Sequence, residues 1–400
     1  MRPKTYERLG VPEVINCVGY ATRVGGSCPK QPVLEAMREA QLASVEIDDL
    51  QAAASRLIAE CTGAEAGIVT CGAAAGLTLA AAACLAGADP VRMDRLPDIS
   101  GCPRFEIIYP RAGPFDYEHP LRLAGARLVE VDYQAARALA DIEAAIRPQT
   151  AALGYAWYQT AEAPDLEALA QLAHRRGLPL LVDAAMALPP VENLGNFIRR
   201  GADLVVFSGG KHLGGPQASG LLCGRRDLVR SAWVQMVDMD VRAGTWSLRS
   251  WIEEGWISRP PRHGIGRSMK AGKEAIVGLL TALQAYRTRD HAAELAVWQG
   301  HVAALASGLA RLTGLRCTRL FPSPTGQPFP VLQLDVDGAT AGFQLRDLIQ
   351  GLRELRPKVI LAEDETNANR AFLYPMALGP DDPAYVVAAI EKFASSLQRK

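Results

Sequence analysis

Short apolar runs alternate with helical stretches from about Glu65 to Cys223. Several runs are apolar throughout, which is typical of strands that are buried on both faces of a sheet. The sequence predicts strands at 67–71, 105–109, 127–131, 151–157, 178–184 and 202–208. Between them it predicts crossover helices, including one over 73–86 and one over 165–176 that Asp165 caps. This order predicts an α/β domain with a mostly parallel central sheet.

The pattern changes after about Arg242. Segment 243–268 is rich in Gly, Arg, Pro and Trp, and a long helical stretch follows that breaks near Arg289. Two further strands, at 331–336 and 371–377, and a helix at 382–397 predict a smaller α+β domain. We therefore expect an N-terminal segment (1–30), a large domain (31–262) and a small C-terminal domain (263–400).

Composition and charge limit the classes of partner. Of the 400 residues, 49% are hydrophobic and 22% are charged, which is typical of globular proteins. Lys plus Arg and Asp plus Glu both number 43, so the formal net charge is zero. Proteins that bind nucleic acid or anionic membranes usually carry a basic surplus, so we expect neither partner. The uncharged run 66–88 is long enough for a membrane, but its glycines predict a strand followed by a buried helix.

The sequence argues against several common kinds of site. The eight cysteines form no C-x-x-C pair, so we expect reduced thiols in a cytoplasmic protein, and no signal-peptide core precedes the first strand. The six histidines have no metal-ligand spacing, so we expect no metal. No dinucleotide-binding glycine motif, P-loop or G-x-S-x-G elbow is present.

One constellation at the ends of neighbouring strands suggests a cofactor. Asp183 ends an apolar strand, and Ser208 and Lys211 follow the end of the next one. CGAAAG at 71–76 ends another strand and begins a helix, where small residues let backbone amides approach a phosphate. A strand-end acid, a lysine in a glycine turn and a phosphate cradle together suit pyridoxal 5′-phosphate (PLP).

These segments resemble the bacterial L-seryl-tRNA selenium transferase family, which includes the D-glucosaminate-6-phosphate ammonia-lyase group. The likeness runs from about Val14 to the end of the chain. It is carried by FSGGKHLGGPQASG at 207–220, and by the segments 15–27, 60–76, 124–131, 178–194 and 264–274. The resemblance implies a fold-type-I, aspartate-aminotransferase-like large domain and a PLP-dependent activity.

The resemblance also implies roles for single residues. Lys211 would bond covalently to the cofactor, and Asp183 would pair with its pyridine nitrogen. The phosphate would bind at Cys71, Gly72 and Ala73, with the hydroxyl of Ser208 added. Members of this family work as homodimers or larger homo-oligomers with shared sites. The segment GIGRSMK would then contact the partner's cofactor or substrate through Arg267 and Lys270.

Four residues are substrate candidates. Asn16, Tyr20 and Arg23 lie in the N-terminal segment that the resemblance places near the active site. Arg23 is the first candidate for a substrate carboxylate or phosphate, because a guanidinium can hold either group with two hydrogen bonds. Arg370 is a second carboxylate candidate.

Two departures from the family pattern affect the expected reaction. Selenium transferases carry an additional N-terminal domain for tRNA, whereas this sequence begins almost directly at the catalytic fold and is neutral, which disfavours a tRNA substrate. Relatives commonly place a histidine on the cofactor ring where this sequence has Gly113. Phe115 or Tyr117 is a candidate to stack there, or the ring face is covered in another way.

The resulting hypothesis is a PLP-dependent lyase that acts on a small amino acid or amino-sugar acid. It would remove the α-proton, eliminate a β-substituent, and release ammonia and a 2-keto acid. A racemase, an aldolase and an aminotransferase remain alternatives, because all three use Lys211 and Asp183. Outside that class, a noncatalytic binding protein of the same fold and a tRNA-dependent selenium transferase remain open.

Overall fold

The computed structural model describes residues 4–111, 117–157, 164–237 and 241–397. Contacts between Cα atoms divide the chain into a larger unit, residues 29–288, and a smaller unit made of residues 1–28 and 289–400. In the described residues, no helix is both long and apolar enough to cross a bilayer.

The strands in chain order are β1 (Val14–Cys17), β2 (Ala66–Thr70), β3 (Glu106–Pro110), β4 (Arg127–Val131), β5 (Thr150–Ala156), β6 (Leu180–Asp183), β7 (Leu204–Ser208), β8 (Gly220–Gly224), β9 (Leu315–Leu320), β10 (Val331–Val336), β11 (Lys358–Glu363) and β12 (Arg370–Leu373). The helices are α1 (Lys4–Arg8), α2 (Gln31–Ala40), α3 (Ile47–Thr62), α4 (Ala73–Ala86), α5 (Pro90–Arg95), α6 (His119–Leu123), α7 (Ala138–Ala145), α8 (Leu166–Arg175), α9 (Asn193–Arg199), α10 (Arg226–Val234), α11 (Ser250–Glu253), α12 (Lys273–Thr288), α13 (His291–Leu309), α14 (Gly338–Ala341), α15 (Leu345–Glu354) and α16 (Asp382–Leu397).

The larger unit is built on a seven-stranded sheet in the order β2-β8-β7-β6-β5-β3-β4. Strands β3 to β7 pair in parallel, as predicted, and β8 runs antiparallel to both of its neighbours. Buried apolar side chains cover both faces of this sheet. Helix α4 is buried almost all round, which explains why its sequence is nearly all alanine and leucine.

The smaller unit contains a five-stranded sheet in the order β1-β11-β12-β10-β9. The predicted bounds of α4, α16 and β10 are confirmed. The predicted break near Arg289 is also confirmed, because α12 ends at Thr288 and Asp290 caps α13 by accepting a hydrogen bond from the amide of Ala293. Strands β1, β8, β9 and β11 were not predicted.

The two units do not follow the predicted domain bounds. We expected residues 1–30 to form a separate segment, but β1 pairs in parallel with β11 and so belongs to the smaller unit. We expected the small domain to begin at 263, but α12 packs against α2 and α3 and extends the larger unit to residue 288. Both differences arise from long-range contacts that local sequence patterns do not reveal.

A buried carboxylate ties β6 to β7 at the start of both strands. Asp203, 6% exposed, accepts a hydrogen bond from the backbone amide of Leu180 at 2.8 Å. His174 Nε2 lies 2.9 Å from the same carboxylate, and Arg225 donates to its other oxygen at 3.3 Å. Three elements therefore converge on one side chain.

Replacing Asp203 with Ala should lower the free energy of unfolding by about 2–4 kcal/mol, because it leaves a buried amide unpaired and removes a charged acceptor. Urea denaturation of wild type and variant measures this change. Asp227→Ala is the matched control, since Asp227 pairs with the same Arg225 at an exposed position, where ion pairs contribute at most about 1 kcal/mol. Equal losses in the two variants would contradict the role assigned to Asp203.

Candidate active site

Asp183 and Lys211 form the centre of the candidate site. Asp183 is the last residue of β6 and is buried, and its Oδ1 accepts a hydrogen bond from the amide of Ala185 at 2.9 Å. Lys211 lies just beyond β7, which pairs in parallel with β6, so both residues lie at the carboxyl edge of the sheet. Ligands of open parallel sheets bind at this edge.

Burial shifts the pKa of each group in the direction that favours its neutral form. Desolvation raises the pKa of Asp183, while the amide of Ala185 and the charge of Lys211 partly offset that rise. Desolvation lowers the pKa of Lys211, and the charge of Asp183 partly offsets that fall. Strongly shifted pKa values of this kind are common among the ionisable groups of functional sites.

The loop that carries Lys211 folds tightly on itself. Gly209 donates to the carbonyl of Ser219 at 2.8 Å, and Gly215 donates to the carbonyl of Gly209 at 2.9 Å. A Cβ atom at Gly210 would lie 2.6 Å from the carbonyl oxygen of Gln217. The glycines of SGGK thus permit a close backbone approach that fixes the lysine on the sheet.

The predicted phosphate cradle lies at the N-terminus of α4. Gly72 precedes this helix with φ 133° and ψ 164°, a conformation that is essentially restricted to glycine. A Cβ atom at Gly220 would lie 2.5 Å from the carbonyl carbon of Gly72 and 2.7 Å from the nitrogen of Ala73. Gly220 pairs with Ser208 across β8 and β7, so the Ser208 backbone reaches the cradle's edge. The first-turn amides of a helix lack intrahelical partners and attract anions.

The backbone amide of Cys71 is already engaged. It donates to the carbonyl of Met269 at 3.2 Å, and its half-buried thiol has a pKa that burial raises. The cradle expected over residues 71–73 therefore narrows to the amides of Gly72 and Ala73.

Arg267 and Lys270 lie on the segment whose Met269 contacts Cys71. Arg267 is half-buried in a short 3₁₀ turn, and Lys270 is exposed just after it. Both line a cavity of about 370 Å³ within the larger unit, together with the carboxylates of Glu46 and Asp48. The segment thus stands beside the cradle of its own chain.

The four substrate candidates all lie in the smaller unit. Asn16 closes its own turn, because its amide group donates to Gly19 and accepts from Val18, both at 2.8 Å. The hydroxyl of Tyr20 donates to Met376 at 3.3 Å, and burial raises its pKa.

The two arginine candidates differ in their surroundings. Arg23 is exposed and donates only one long hydrogen bond of 3.4 Å to a described residue, the carbonyl of Leu361. Arg370 lies between two acids, 2.7 Å from Asp335 and 3.7 Å from Asp364. These acids neutralise Arg370 and would compete with a substrate carboxylate.

Of the two ring-stacking candidates, Phe115 lies outside the described residues, as does Gly113 at the position of the relatives' histidine, and Tyr117 is 51% exposed. Sequence reasoning did not single out Gln51 or Thr70, whose side chains bond to the backbone just before α4. A hydroxyl shortly before a helix N-terminus was the one sequence signal at Thr70. Gln51 left none, because it bonds to backbone 18 positions away.

The larger unit fits PLP. It offers a partly buried amine for the aldehyde, a buried carboxylate for the ring nitrogen, and the amides of Gly72 and Ala73 at a helix N-terminus for the phosphate. These groups lie at one edge of one sheet, and a Cβ atom at Gly220 would disrupt the last of them.

Comparisons with known proteins agree with this assignment. A 5'-C-glycyluridine monooxygenase-decarboxylase of Streptomyces sp is 31% identical over 396 residues, which is 97% of this chain and 91% of that protein. A D-glucosaminate-6-phosphate ammonia lyase of Salmonella typhimurium (strain 14028s / SGSC 2262) is 29% identical, covering 98% of this chain and 99% of that protein.

A solved structure of D-glucosaminate-6-phosphate ammonia-lyase matches with a TM-score of 0.79 and 28% identity over 100% of both chains. The fold is thus the predicted fold type I of PLP enzymes, and PLP is the cofactor. The family model described as SelA, L-seryl-tRNA selenium transferase, matches residues 30–243. The chain therefore belongs to the L-seryl-tRNA selenium transferase family.

Proposed function

We propose that the protein is a PLP-dependent ammonia-lyase that acts on a small 2-amino-3-hydroxy acid or amino-sugar acid. The observation that carries the proposal is that Lys211 and Asp183 lie at one edge of the sheet, at the ends of paired strands, where burial lowers the pKa of the first and raises that of the second. Similarity to an ammonia lyase along 98% of the chain supports the reaction class.

When bound, PLP supplies an electron sink for bonds at the Cα atom of an amine substrate. Lys211, in its neutral form, takes the proton from that Cα atom. Desolvation lowers the pKa of Lys211, so a larger share of the amine is neutral near pH 7 than in free lysine. Asp183 would hold the pyridine nitrogen of the cofactor, and the amides of Gly72 and Ala73 with the hydroxyl of Ser208 would hold its phosphate.

The overall reaction balances without an oxidant. The substrate loses hydrogen from Cα and hydroxyl from Cβ as one water molecule. One water molecule then replaces the nitrogen at Cα, which leaves as ammonia. The organic product is a 2-keto acid, and neither oxygen nor a second substrate is consumed.

A second candidate function is oxidative decarboxylation of an amino acid. The 31% identity to the Streptomyces monooxygenase-decarboxylase favours it. This reaction would consume oxygen and release carbon dioxide. Racemase, aldolase and aminotransferase activities use the same Lys211 and Asp183, but none of these reactions releases ammonia or carbon dioxide.

We also propose a homodimer in the cytoplasm, with residues 29–288 as the cofactor-binding domain. The cavity that contains Arg267 and Lys270 also presents Glu46 and Asp48, and Ile47 is exposed on its rim. A patch with equal numbers of both charges can pair with itself across a two-fold axis. In such a dimer Arg267 would reach the partner's cofactor.

For the substrate, the exposed Arg23 is the proposed ligand of the carboxylate group.

The wild-type protein with PLP should release ammonia and a 2-keto acid in equal amounts from one member of a panel of D- and L-2-amino-3-hydroxy acids and 2-amino-2-deoxy sugar acids. Borohydride reduction should attach a pyridoxyl group to Lys211, which peptide mapping detects. An oxygen electrode and carbon dioxide detection run in parallel.

Lys211→Ala is the control and should release no ammonia. A pyridoxyl group on Lys270 or Lys273 would contradict the lysine assignment. Oxygen uptake matched to carbon dioxide release would replace the lyase with the oxidative decarboxylase.

Replacing Asp183 with Ala should leave PLP bound but slow turnover. Losing one partner of a buried charge pair costs about 3–5 kcal/mol. If this cost falls on the transition state, the rate drops roughly a hundredfold to a few thousandfold. Steady-state assays on the substrate found above measure the drop, and near-normal turnover would refute the role.

Asp183→Asn tests the same pair by pH. The carboxylate raises the pKa of Lys211, so its loss should lower that pKa further. Amine labelling of the apo-protein at Lys211 should therefore reach half its maximal rate at a lower pH than in wild type. An unchanged midpoint would show that the two groups do not interact.

The protein should be a dimer by light scattering at micromolar concentration. Charge reversal of Lys270 to Glu should weaken the dimer, and adding Glu46→Lys should restore it, because the two charges pair across the two-fold axis.

Since the net charge is zero, tRNA should bind only weakly and be displaced by salt in a gel shift. A fully active monomer, or tight salt-resistant tRNA binding, would overturn this part of the proposal.

A further inference from the structure

Strand β2 is an edge strand of the seven-stranded sheet, since within the described parts of the chain only β8 pairs with it. Its other side presents backbone groups at alternate residues, and unpaired groups on a buried edge are costly. Side chains of α3 take up two of these positions. Ser55 Oγ accepts from the amide of Gly67 at 3.1 Å, and Gln51 bonds to both backbone groups of Val69.

Gln51 acts on Val69 as a neighbouring strand would. Its Nε2 donates to the Val69 carbonyl at 2.8 Å, and its Oε1 accepts from the Val69 amide at 3.0 Å. The next amide on the same side, that of Cys71, donates to Met269. The edge of β2 is thus closed at every alternate amide from 67 to 71, and Gln51, 1% exposed, is the central contact.

Thr70, the last residue of β2, extends these side-chain contacts to the turn that follows the strand. It is fully buried, and its hydroxyl donates to the carbonyl of Gly72 at 2.8 Å. The same carbonyl accepts from the amide of Gly76 at 3.0 Å, as the first hydrogen bond of α4. Two donors therefore fix the peptide group of Gly72 in its glycine-only conformation, which costs free energy unless neighbouring contacts hold it.

Fixing this carbonyl also fixes the amides that follow it. The Gly72 carbonyl belongs to the same peptide plane as the Ala73 amide, because the peptide group is planar. A hydroxyl that holds the oxygen along the helix therefore directs the Ala73 N–H away from the helix, toward the proposed phosphate position. Preorganised amides bind an anion more tightly than amides that must reorient.

We propose that Thr70 and Gln51 are positioning residues for the phosphate group of the cofactor. Thr70 would orient the Gly72–Ala73 peptide, and Gln51 would hold the strand end from which that peptide projects. This inference rests on the proposed function, because the cradle at Gly72 and Ala73 belongs to that proposal. Neither side chain touches the cofactor, so neither is a catalytic residue.

The test compares PLP with pyridoxal, which has the same ring and aldehyde but no phosphate. Apo-protein is titrated with each, and the absorbance change gives two dissociation constants. Thr70→Val keeps the shape of the side chain and removes the hydroxyl. It should raise the dissociation constant of PLP about tenfold, as expected for one lost hydrogen bond in a preorganised site, and leave that of pyridoxal unchanged.

Two further variants separate positioning from general stability. Thr70→Ser keeps the hydroxyl and should restore PLP affinity. Gln51→Met keeps the length of the side chain without its hydrogen bonds and should weaken PLP but not pyridoxal, so the test survives if Thr70→Val does not fold. Thr62→Val is the control, because the hydroxyl of Thr62 is buried in the same helix as Gln51 and donates to the carbonyl of Ile58 at 2.7 Å. It should lower the melting temperature and leave both dissociation constants unchanged.

The outcomes are distinguishable. If wild type prefers PLP to pyridoxal and Thr70→Val keeps the same preference, the positioning role is wrong while the proposed site stands. If Thr70→Val weakens both ligands equally, the hydroxyl acts only on the fold and the inference also fails. If wild type binds PLP and pyridoxal equally, the cradle does not bind phosphate, and both the inference and the proposed phosphate site are wrong.

Discussion

Two ionisable side chains, the buried Asp183 and the partly buried Lys211, lie at the ends of neighbouring parallel strands. Burial alone would drive Lys211 and Asp183 toward their neutral forms, and their mutual attraction opposes this. The parallel pairing of β6 with β7 places Asp183, at the end of β6, and Lys211, just beyond β7, at one sheet edge. A shift of one residue in that register would turn the side chain of Asp183 to the opposite face.

Close backbone approaches at glycines fix the turn and the loop that surround this site. Gly220 lets the turn at Gly72 lie directly on β8, and the glycines beside Lys211 let its loop fold onto Gln217. Each approach excludes even a methyl group, so each brings two pieces of backbone to a defined separation. A few polar side chains thus supply the chemistry, and glycines set the distances between the backbone segments that hold those side chains.

Local sequence patterns predicted strands β2 to β7, and they placed Asp183 and Lys211 at the ends of two of these strands. Apolar runs ending in Asp183 and in Ser208 predicted the strand ends, because burial on both faces leaves a strong signal. They were insufficient wherever a contact joins distant residues. The antiparallel strand β8 and the bond from Gln51 to Val69 depend on such contacts. A carboxylate partner likewise occupies Arg370, which composition around that residue does not indicate.

The smaller unit is assembled from the two ends of the chain, since β1 pairs with β11. During synthesis the larger unit emerges as one continuous stretch and can fold while translation continues. Strand β1 emerges before it, yet its partner β11 is made only after it. Strand β1 must therefore remain unpaired while the whole larger unit is made, which makes it a site where a newly made chain is open to chaperones or to mispairing.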